Sequence, residues 1–211
     1  MQYKIIPVTP FSQNSTIIWC DKTKKAGIVD PGGEAERVID AATALGVTVE
    51  KILITHGHLD HVGAAKALAD HYGVKIYGPS NEDEFWFNSL PEQAAQFNFP
   101  HCAIFKPDRW LNEGDNVEVG DETLTVKHCP GHTPGHIVFI HHPSKLALVG
   151  DVLFNGSIGN TSFEQGSYPD LMRSIKEKLL PLGDEFTFIP GHGPLSTLGH
   201  ERRHNPFLRR G

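Results

Sequence analysis

The chain alternates short apolar runs with polar turns, a pattern typical of proteins that mix strands and helices. In the first half, alternating or continuous apolar residues predict strands at 3–8, 16–20, 26–29, 51–54 and 74–77. Apolar residues at helical spacing predict a helix at 34–45, which ends at Gly46, and another at 62–72, which ends at Gly73. The segment 79–108 is rich in aromatic residues and is predicted to be irregular.

The second half repeats this mixture of elements. A hairpin is predicted around Gly120 and Asp121, since two strand-like runs flank this turn. The remaining predicted elements are strands at 117–119, 123–128, 137–140, 146–149 and 186–189 and a helix at 168–180. A loop rich in Gly, Ser and Asn is predicted at 155–167. No linker separates the two halves, so the sequence predicts one layered α/β domain over 1–211.

Histidine is frequent, with 13 residues among 211. The densest group follows the predicted strand at 51–54 and contains His56, His58, Asp60 and His61. Residues two apart in an extended loop point to the same side, so His56 and His58 can converge on one metal ion. Asp60 and His61 come where the chain turns into a helix, so they can face a second point nearby. Imidazole and carboxylate ligands together suit zinc, iron or manganese better than calcium.

Three more candidate ligands, His132, Asp151 and His192, follow predicted strands. Strand ends are where sites assemble in layered α/β folds. A glycine precedes each of the three residues and leaves the backbone free to turn tightly. Together with the first group they supply enough ligands for two metal ions, with Asp151 placed to bridge them.

The order of these residues, HxHxDH followed by His, Asp and His at strand ends, resembles the metallo-β-lactamase superfamily across essentially the whole chain. The resemblance implies a four-layer αββα sandwich with a metal site at one edge. It also implies two groups of ligands, His56, His58 and His132 for the first ion and Asp60, His61 and His192 for the second. Asp151 would bridge the ions, Asp60 and Asp151 would be the catalytic carboxylates, and a hydroxide between the ions would be the nucleophile.

Three segments narrow the resemblance to glyoxalase II, which hydrolyses S-lactoylglutathione to lactate and glutathione. They are 129–136 (Cys-Pro-Gly-His-Thr-Pro-Gly-His), 150–154 (Gly-Asp-Val-Leu-Phe) and the tail 201–209, which contains Asn-Pro-Phe. Many true β-lactamases have Cys where this chain has Asp151. The chain is expected to represent a short single-domain branch, since it lacks the helical C-terminal domain of the two-domain enzymes. The resemblance also implies a basic residue after the bridging Asp. This chain has Asn160 near that position instead.

The leading hypothesis is hydrolysis of a small-molecule thioester, assisted by two divalent ions. The ligands suit zinc or iron and also admit manganese. Two alternatives on the same fold stay open: a mononuclear iron persulfide dioxygenase, which needs only His56, His132 and Asp151, and a lactonase with the full ligand set. A metal-binding protein without catalysis is a third alternative.

Three residues near the ligands are candidates for supporting them. Asp30 resembles the family's early Asp beside the metal site, and a plain turn Asp is an equal alternative. Thr55 would orient the ligand loop or simply cap the following turn. For His136, a hydrogen-bonded core histidine is favoured over a role beside the metal.

Composition argues against several other classes of protein. Lys plus Arg is 19 and Asp plus Glu is 25, a net charge of −6, so no nucleic-acid or anionic-membrane partner is expected. No apolar run approaches the ~18 residues needed to cross a bilayer, and residues 1–9 lack a signal-peptide pattern. Three cysteines without a CxxC pair favour a reducing compartment, so a cytoplasmic location is expected. The sequence leaves the oligomeric state open and is compatible with a monomer.

Overall fold

The computed structural model describes residues 1–209, so the last two residues of the domain expected over 1–211 lie outside the described part, and that single domain stays a prediction. Five strands form the first sheet: β1 (Gln2–Val8), β2 (Gln13–Trp19), β3 (Lys25–Val29), β4 (Thr48–Leu53) and β5 (Lys75–Tyr77). They are hydrogen-bonded in that order. Pairing is antiparallel from β1 to β3 and parallel from β3 to β5.

Six strands form the second sheet: β6 (Asn116–Val119), β7 (Glu122–His128), β8 (Ile137–His141), β9 (Leu146–Gly150), β12 (Thr187–Pro190) and β13 (Ser196–Thr197). Their order in the sheet is β13-β12-β9-β8-β7-β6. The pair β12–β9 is parallel and the other pairs are antiparallel. A separate small hairpin consists of β10 (Leu153–Phe154) and β11 (Ser157–Ile158).

Helices lie along the outer faces of both sheets. Those that precede the second sheet are α1 (Ala35–Leu45), α2 (Leu59–Val62), α3 (Ala65–Tyr72), α4 (Glu84–Asn88) and α5 (Leu90–Phe97). Later in the chain come α6 (Tyr168–Arg173) and α7 (Leu198–His204). The described residues include no helix long and apolar enough to pass through a bilayer.

Successive side chains of one strand pack in different hydrophobic cores, and these cores separate the layers of sheets and helices. Leu53 of β4 and Phe139 of β8 lie in the core between the two sheets. Ile52 faces the other way, into a core shared with α1 and α3, while Val138 and Ile140 face a core shared with α6 and α7. Successive side chains of a strand point to opposite faces, so strands covered on both sides read as continuous apolar runs. Three cores separate four layers, and the predicted αββα sandwich is confirmed.

The segment 79–108 is not irregular as predicted, because it contains α4 and α5. Phe87, Leu90 and Ala94 are buried at spacings of three and four residues and pack in the core beneath the first sheet. Prolines, asparagines and serines interrupt this segment, so the helical spacing of its apolar residues is not evident in the sequence. Helices this short are stabilised by packing rather than by propensity, so tertiary contacts decide their formation.

The other differences concern the C-terminal part. The predicted helix at 168–180 is α-helical only through Arg173 and continues as a π-helix over Ser174–Leu179. Helix α7 was not predicted. Thr197 caps it by accepting a hydrogen bond from the His200 N–H, and the buried Glu201 accepts from the Gly156 N–H at 2.9 Å. The final helix is thereby attached to the hairpin β10–β11.

We expect Phe139→Ala to destabilise the protein by about 3–5 kcal/mol, because it leaves a cavity in the core between the sheets. Phe139 is fully buried there, whereas Ile104 is 55% exposed. Ile104→Ala is therefore the control and should change stability by less than about 0.5 kcal/mol. Urea unfolding of the metal-free protein measures both values. Equal effects of the two substitutions would contradict the assignment of Phe139 to the core.

Candidate metal centre

The structure brings all seven predicted ligand residues together at one edge of the sandwich. His56, His58, Asp60 and His61 follow β4 and run into α2. The remaining three lie at turns of the second sheet: His132 in the β7–β8 connection, Asp151 after β9, and His192 after β12. Strands β4, β9 and β12 therefore end at the same edge and deliver ligands from distant parts of the chain.

Among residues 1–209, three groups of candidate ligand atoms lie close together: one consists of Asp30, His56 and His61, and the other two have the composition of the two predicted sets. One nitrogen each from His56, His58 and His132 lies within 4.8 Å of the other two. The second group, within the same distance, consists of Asp60, His61 and His192. His192 Nε2 lies 3.1 Å from Asp60 Oδ2.

Asp151 lies between the two groups. Its Oδ2 is 3.5 Å from His132 Nε2 in the first group and 3.6 Å from His192 Nε2 in the second, while its Oδ1 is 3.3 Å from His61 Nε2. The preceding Gly150 has φ 49°, and a Cβ there would lie 2.5 Å from Thr55 Oγ1. A glycine is therefore required for the turn that places this carboxylate.

Hydrogen bonds of the opposite ring nitrogens fix which way the histidines face. His132 Nδ1 donates to the Asn160 carbonyl at 2.6 Å, and His192 Nδ1 donates to the Phe11 carbonyl at 3.0 Å. His61 Nδ1 donates to Asp30 Oδ2 at 2.8 Å. When these rings are neutral, each Nε2 therefore carries a lone pair that faces the cluster.

Asp30 and Thr55, two of the three predicted supporting residues, connect the ligands. Asp30 Oδ1 accepts from the Thr55 N–H at 2.7 Å, and Asp30 Oδ2 accepts from the Thr55 hydroxyl at 2.6 Å. With its own hydrogen committed, Thr55 Oγ1 accepts from His56 Nδ1 at 3.0 Å. The chain Asp30–Thr55–His56 orients this imidazole, and Asp30 orients His61 as well. That these contacts serve metal binding stays a prediction.

His136, the third predicted supporting residue, lies behind the cluster. Its Nε2 accepts a hydrogen bond from the Asp151 N–H at 3.0 Å. Its ring stacks on His56 with centroids 4.6 Å apart. It therefore contacts one candidate ligand from each sheet, and its Nδ1 is buried without a hydrogen-bond partner among the described residues.

The donor atoms of the cluster fit a cation. His56 Nε2, His61 Nε2 and Asp151 Oδ1 are buried without a hydrogen-bond partner among the described residues, while His58 faces His132 Nε2 through its Nδ1, 3.0 Å away. Buried polar atoms are nearly always paired, and leaving one unpaired is costly. Lone pairs and a carboxylate that converge without donors are what a divalent ion satisfies, and nitrogen with carboxylate oxygen suits zinc or iron.

The electrostatics of the two groups differ. Burial lowers the pKa of His58 to about 3, and burial together with neighbouring histidines lowers the pKa of His56 well below its ordinary value. Such imidazoles are neutral, the form that binds metal. Burial alone would lower the pKa of His61 also, but the carboxylates of Asp151 and Asp60 outweigh burial and raise it. The first group is thus histidine-rich and neutral, while the second pairs histidine with carboxylate.

Asp83 is a residue of the site that the sequence did not indicate. It is fully buried and accepts three hydrogen bonds: from the Gly57 N–H at 2.9 Å, the Thr133 hydroxyl at 2.8 Å and the Gly135 N–H at 2.6 Å. Gly57 lies between two candidate ligands, and Thr133 follows a third. Asp83 therefore joins the ligand loops of the two sheets. In the sequence it is one of three consecutive acidic residues, a pattern typical of a solvated surface.

Asn14 is a second missed residue, and it holds the loop of His192. Its side-chain amide donates to the Pro190 carbonyl at 3.0 Å and to the Gly193 carbonyl at 2.8 Å. Its backbone N–H donates to the Gly191 carbonyl at 2.7 Å. The position of His192 thus depends on the first sheet as well as the second.

A cleft of about 450 Å³ opens over the cluster. His58, Asp60, His132, Asp151 and His192 form its floor. Aromatic side chains dominate the walls, namely Phe11, Trp86, Phe97, Phe99, Phe154 and Phe163. A small organic molecule that enters this cleft reaches the candidate ligands directly.

Comparisons with known proteins agree with the fold. Residues 8–192 match the family described as the metallo-beta-lactamase superfamily. The chain is 52% identical over 209 residues to the hydroxyacylglutathione hydrolase GloC of Haemophilus influenzae, covering 99% of this chain and 98% of that protein. The chain belongs to the metallo-beta-lactamase superfamily.

Two solved structures are similar over nearly their whole length. The BLEG-1 B3 metallo-beta-lactamase has a TM-score of 0.92 at 35% identity, with 100% of both chains covered. TTHA1623 in a di-iron-bound form has a TM-score of 0.89 at 32% identity, with 97% of this chain and 100% of that chain covered. TTHA1623 therefore holds two iron ions on a similar fold.

We expect Asp83→Asn to change how stability depends on pH. Burial raises the pKa of Asp83 from 3.8 to about 6. Folding thus favours the protonated carboxyl of Asp83. Its contribution to the free energy of unfolding is fully present below about pH 4 and is lost as pH rises through about 6, a change of about 3 kcal/mol. Asn cannot titrate, so the variant should lack this decline. Urea unfolding of the metal-free proteins between pH 4 and 7 measures the difference.

Asp121→Asn provides the matched control, since this carboxylate is exposed and pairs with Lys22 at the surface. Its pH profile should follow that of the unmodified protein. Parallel profiles for the Asp83 variant and the unmodified protein would contradict the burial of an ionisable carboxylate at this position.

Proposed function

We propose that this chain is a metal-dependent hydrolase of glutathione thioesters that converts S-lactoylglutathione to lactate and glutathione. The observation that carries the proposal is the pair of complete ligand groups with Asp151 between them, at the floor of an open cleft. The 52% identity to a hydroxyacylglutathione hydrolase supports the choice of thioester.

His56, His58 and His132 would hold one divalent ion, and Asp60, His61 and His192 a second, with Asp151 shared. Zinc and iron suit these donors, and the similar di-iron protein supports a two-ion site. When bound, two such ions lower the pKa of a shared water toward neutrality and polarise the carbonyl of the substrate.

The carboxylates of the chain keep this chemistry oriented. Burial would raise the pKa of Asp60, but in the metal-free protein the charge of protonated His61 and a hydrogen bond from protonated His192 outweigh burial and lower it. Asp151 is likewise held ionised, chiefly by His61 against the effect of burial. Both carboxylates can accept a hydrogen bond from the attacking water and direct its lone pair toward the thioester carbon. Their charges also balance those of the bound ions.

Among residues 1–209, those that line the cleft include no Ser, Thr, Cys, Lys or Tyr that could serve as an alternative nucleophile. Cys129 lies in the strand end beside His132 but is buried outside the cleft, and burial raises the pKa of its thiol to about 12. The thiol is therefore protonated at neutral pH and inert. Water is left as the nucleophile, which matches a hydrolytic reaction.

We expect Asp151→Ala to lose both metal and activity, because it removes the carboxylate shared by the two groups. The bound metal per chain should fall from about two toward one or less, and kcat/KM for S-lactoylglutathione should fall at least about 100-fold. Elemental analysis of the purified protein and a thiol-release assay measure the two effects. Asp121→Ala, at an exposed position, should change neither. Full metal content and activity in the Asp151 variant would contradict the proposed site.

Oxygen uptake and lactone hydrolysis distinguish the reaction classes that share this fold. The fully metallated protein should release thiol from S-lactoylglutathione and consume no oxygen with glutathione persulfide. Oxygen consumption without thioester cleavage would replace the proposal with a persulfide dioxygenase that uses His56, His132 and Asp151. Cleavage of lactones alone would replace it with a lactonase.

A further inference from the structure

We infer that the aromatic cleft selects thioesters by their apolar acyl group, and that the substrate class is uncharged aliphatic or aromatic acyl thioesters rather than glutathione conjugates alone. This inference rests on the proposed hydrolysis of thioesters. It concerns which part of the substrate the protein recognises.

Two groups of aromatic side chains line the cleft over the candidate metal centre. In one group, Trp86 and Phe163 pack against His58, with ring centroids 4.5 and 4.9 Å from the imidazole. In the other group, Phe11 contacts Phe97 and Phe99, with centroids 5.8 and 5.1 Å away. An acyl chain that places its thioester at the floor would extend between these rings.

The rings at the mouth of the cleft are available to a ligand. Phe11 is 45% exposed, Phe97 is 41% exposed and Phe163 is 38% exposed. Large apolar side chains grouped on a concave surface are typical of a binding site. Covering them with an apolar group removes their contact with water, which favours binding in proportion to the area covered.

The walls offer no cation to a charged substrate. Among residues 1–209, those that line the cleft include neither Lys nor Arg. The polar wall residues are amides, and two of them are already engaged. Gln93 Oε1 accepts from the Leu59 N–H at 2.9 Å, and Asn160 Oδ1 accepts from the Ser162 N–H at 2.9 Å. Along the described walls, the two carboxylates of glutathione therefore meet no Lys or Arg side chain.

A matched series of substrates tests this inference on the metal-loaded protein. The series combines acetyl, butyryl, hexanoyl and phenylacetyl groups with two thiols, glutathione and the neutral N-acetylcysteamine. We expect kcat/KM to rise about fourfold for each added methylene until the cleft is filled. For a given acyl group, the two thiols should differ by less than about threefold, because no ion pair distinguishes them.

Two wall variants connect the acyl preference to the rings. Phe97→Ala and Phe163→Ala should each lower the ratio of hexanoyl to acetyl kcat/KM by about tenfold. Phe207→Ala is the matched control, since Phe207 is also 41% exposed but does not line the cleft. It should leave the ratio unchanged. Metal content and circular dichroism of each variant verify that the fold is retained, and Phe97→Leu provides a milder change at the same position.

Introducing a positive charge at the cleft tests whether the lack of Lys and Arg there explains the lack of preference for glutathione thioesters. Gln96 is an exposed wall residue, and Gln96→Arg would place a cation at the mouth. This variant should favour glutathione thioesters over the neutral ones by about fivefold at low salt, and about 0.5 M NaCl should abolish the advantage.

The outcomes separate this inference from the proposed function. A preference of the unmodified protein for glutathione thioesters by tenfold or more, reduced by salt, would overturn the inference and leave the hydrolase intact. A flat response to acyl length would overturn it as well. If fully metallated protein cleaves no thioester of either thiol, the proposed function itself is wrong and the inference is lost with it.

Discussion

Histidine nitrogens and carboxylate oxygens converge at one edge of the sandwich with too few hydrogen-bond donors to pair them all. The other features of the site depend on this constraint. Acceptors outside the cluster take the Nδ1 hydrogens of His61, His132 and His192, so each Nε2 faces the cluster with a lone pair when these rings are neutral. Asp151 adds a carboxylate within 3.6 Å of all three. Burying such a group is costly unless a cation lies within it, so metal binding and folding are thermodynamically linked.

Two buried carboxylates outside the ligand set keep this arrangement in place. Asp30 connects the ends of β3 and β4 through Thr55 and orients His61, while Asp83 connects the ligand loops that arise from different sheets. Rigid outer contacts of this kind hold ligands near one geometry before any ion arrives. The sandwich supplies the strand ends, and these carboxylates connect them through hydrogen bonds.

Much of the centre could be predicted from the sequence because its information is local. His56, His58, Asp60 and His61 lie within six residues, between the end of a strand and the first turn of a helix. A glycine before each of the other three candidate ligands marks the turn on which that ligand lies. Asp83 could not be predicted, since an acidic residue among acidic neighbours carries no sign of burial. The cleft walls were equally hidden, because Phe11, Phe97 and Phe163 become neighbours only through tertiary packing. The same holds for α4 and α5, whose short apolar faces are stabilised by the sheet beneath them.

The attachment of α7 to the hairpin β10–β11 through Glu201 and Gly156 has a consequence for biogenesis. The loop after Asp151 gains its anchor from one of the last elements of the chain, and His192 comes only shortly before that element. A nascent polypeptide that stops short of this region carries an incomplete set of donors and an unanchored shared carboxylate. Stable capture of a cation pair in the anchored site therefore requires the chain as far as α7.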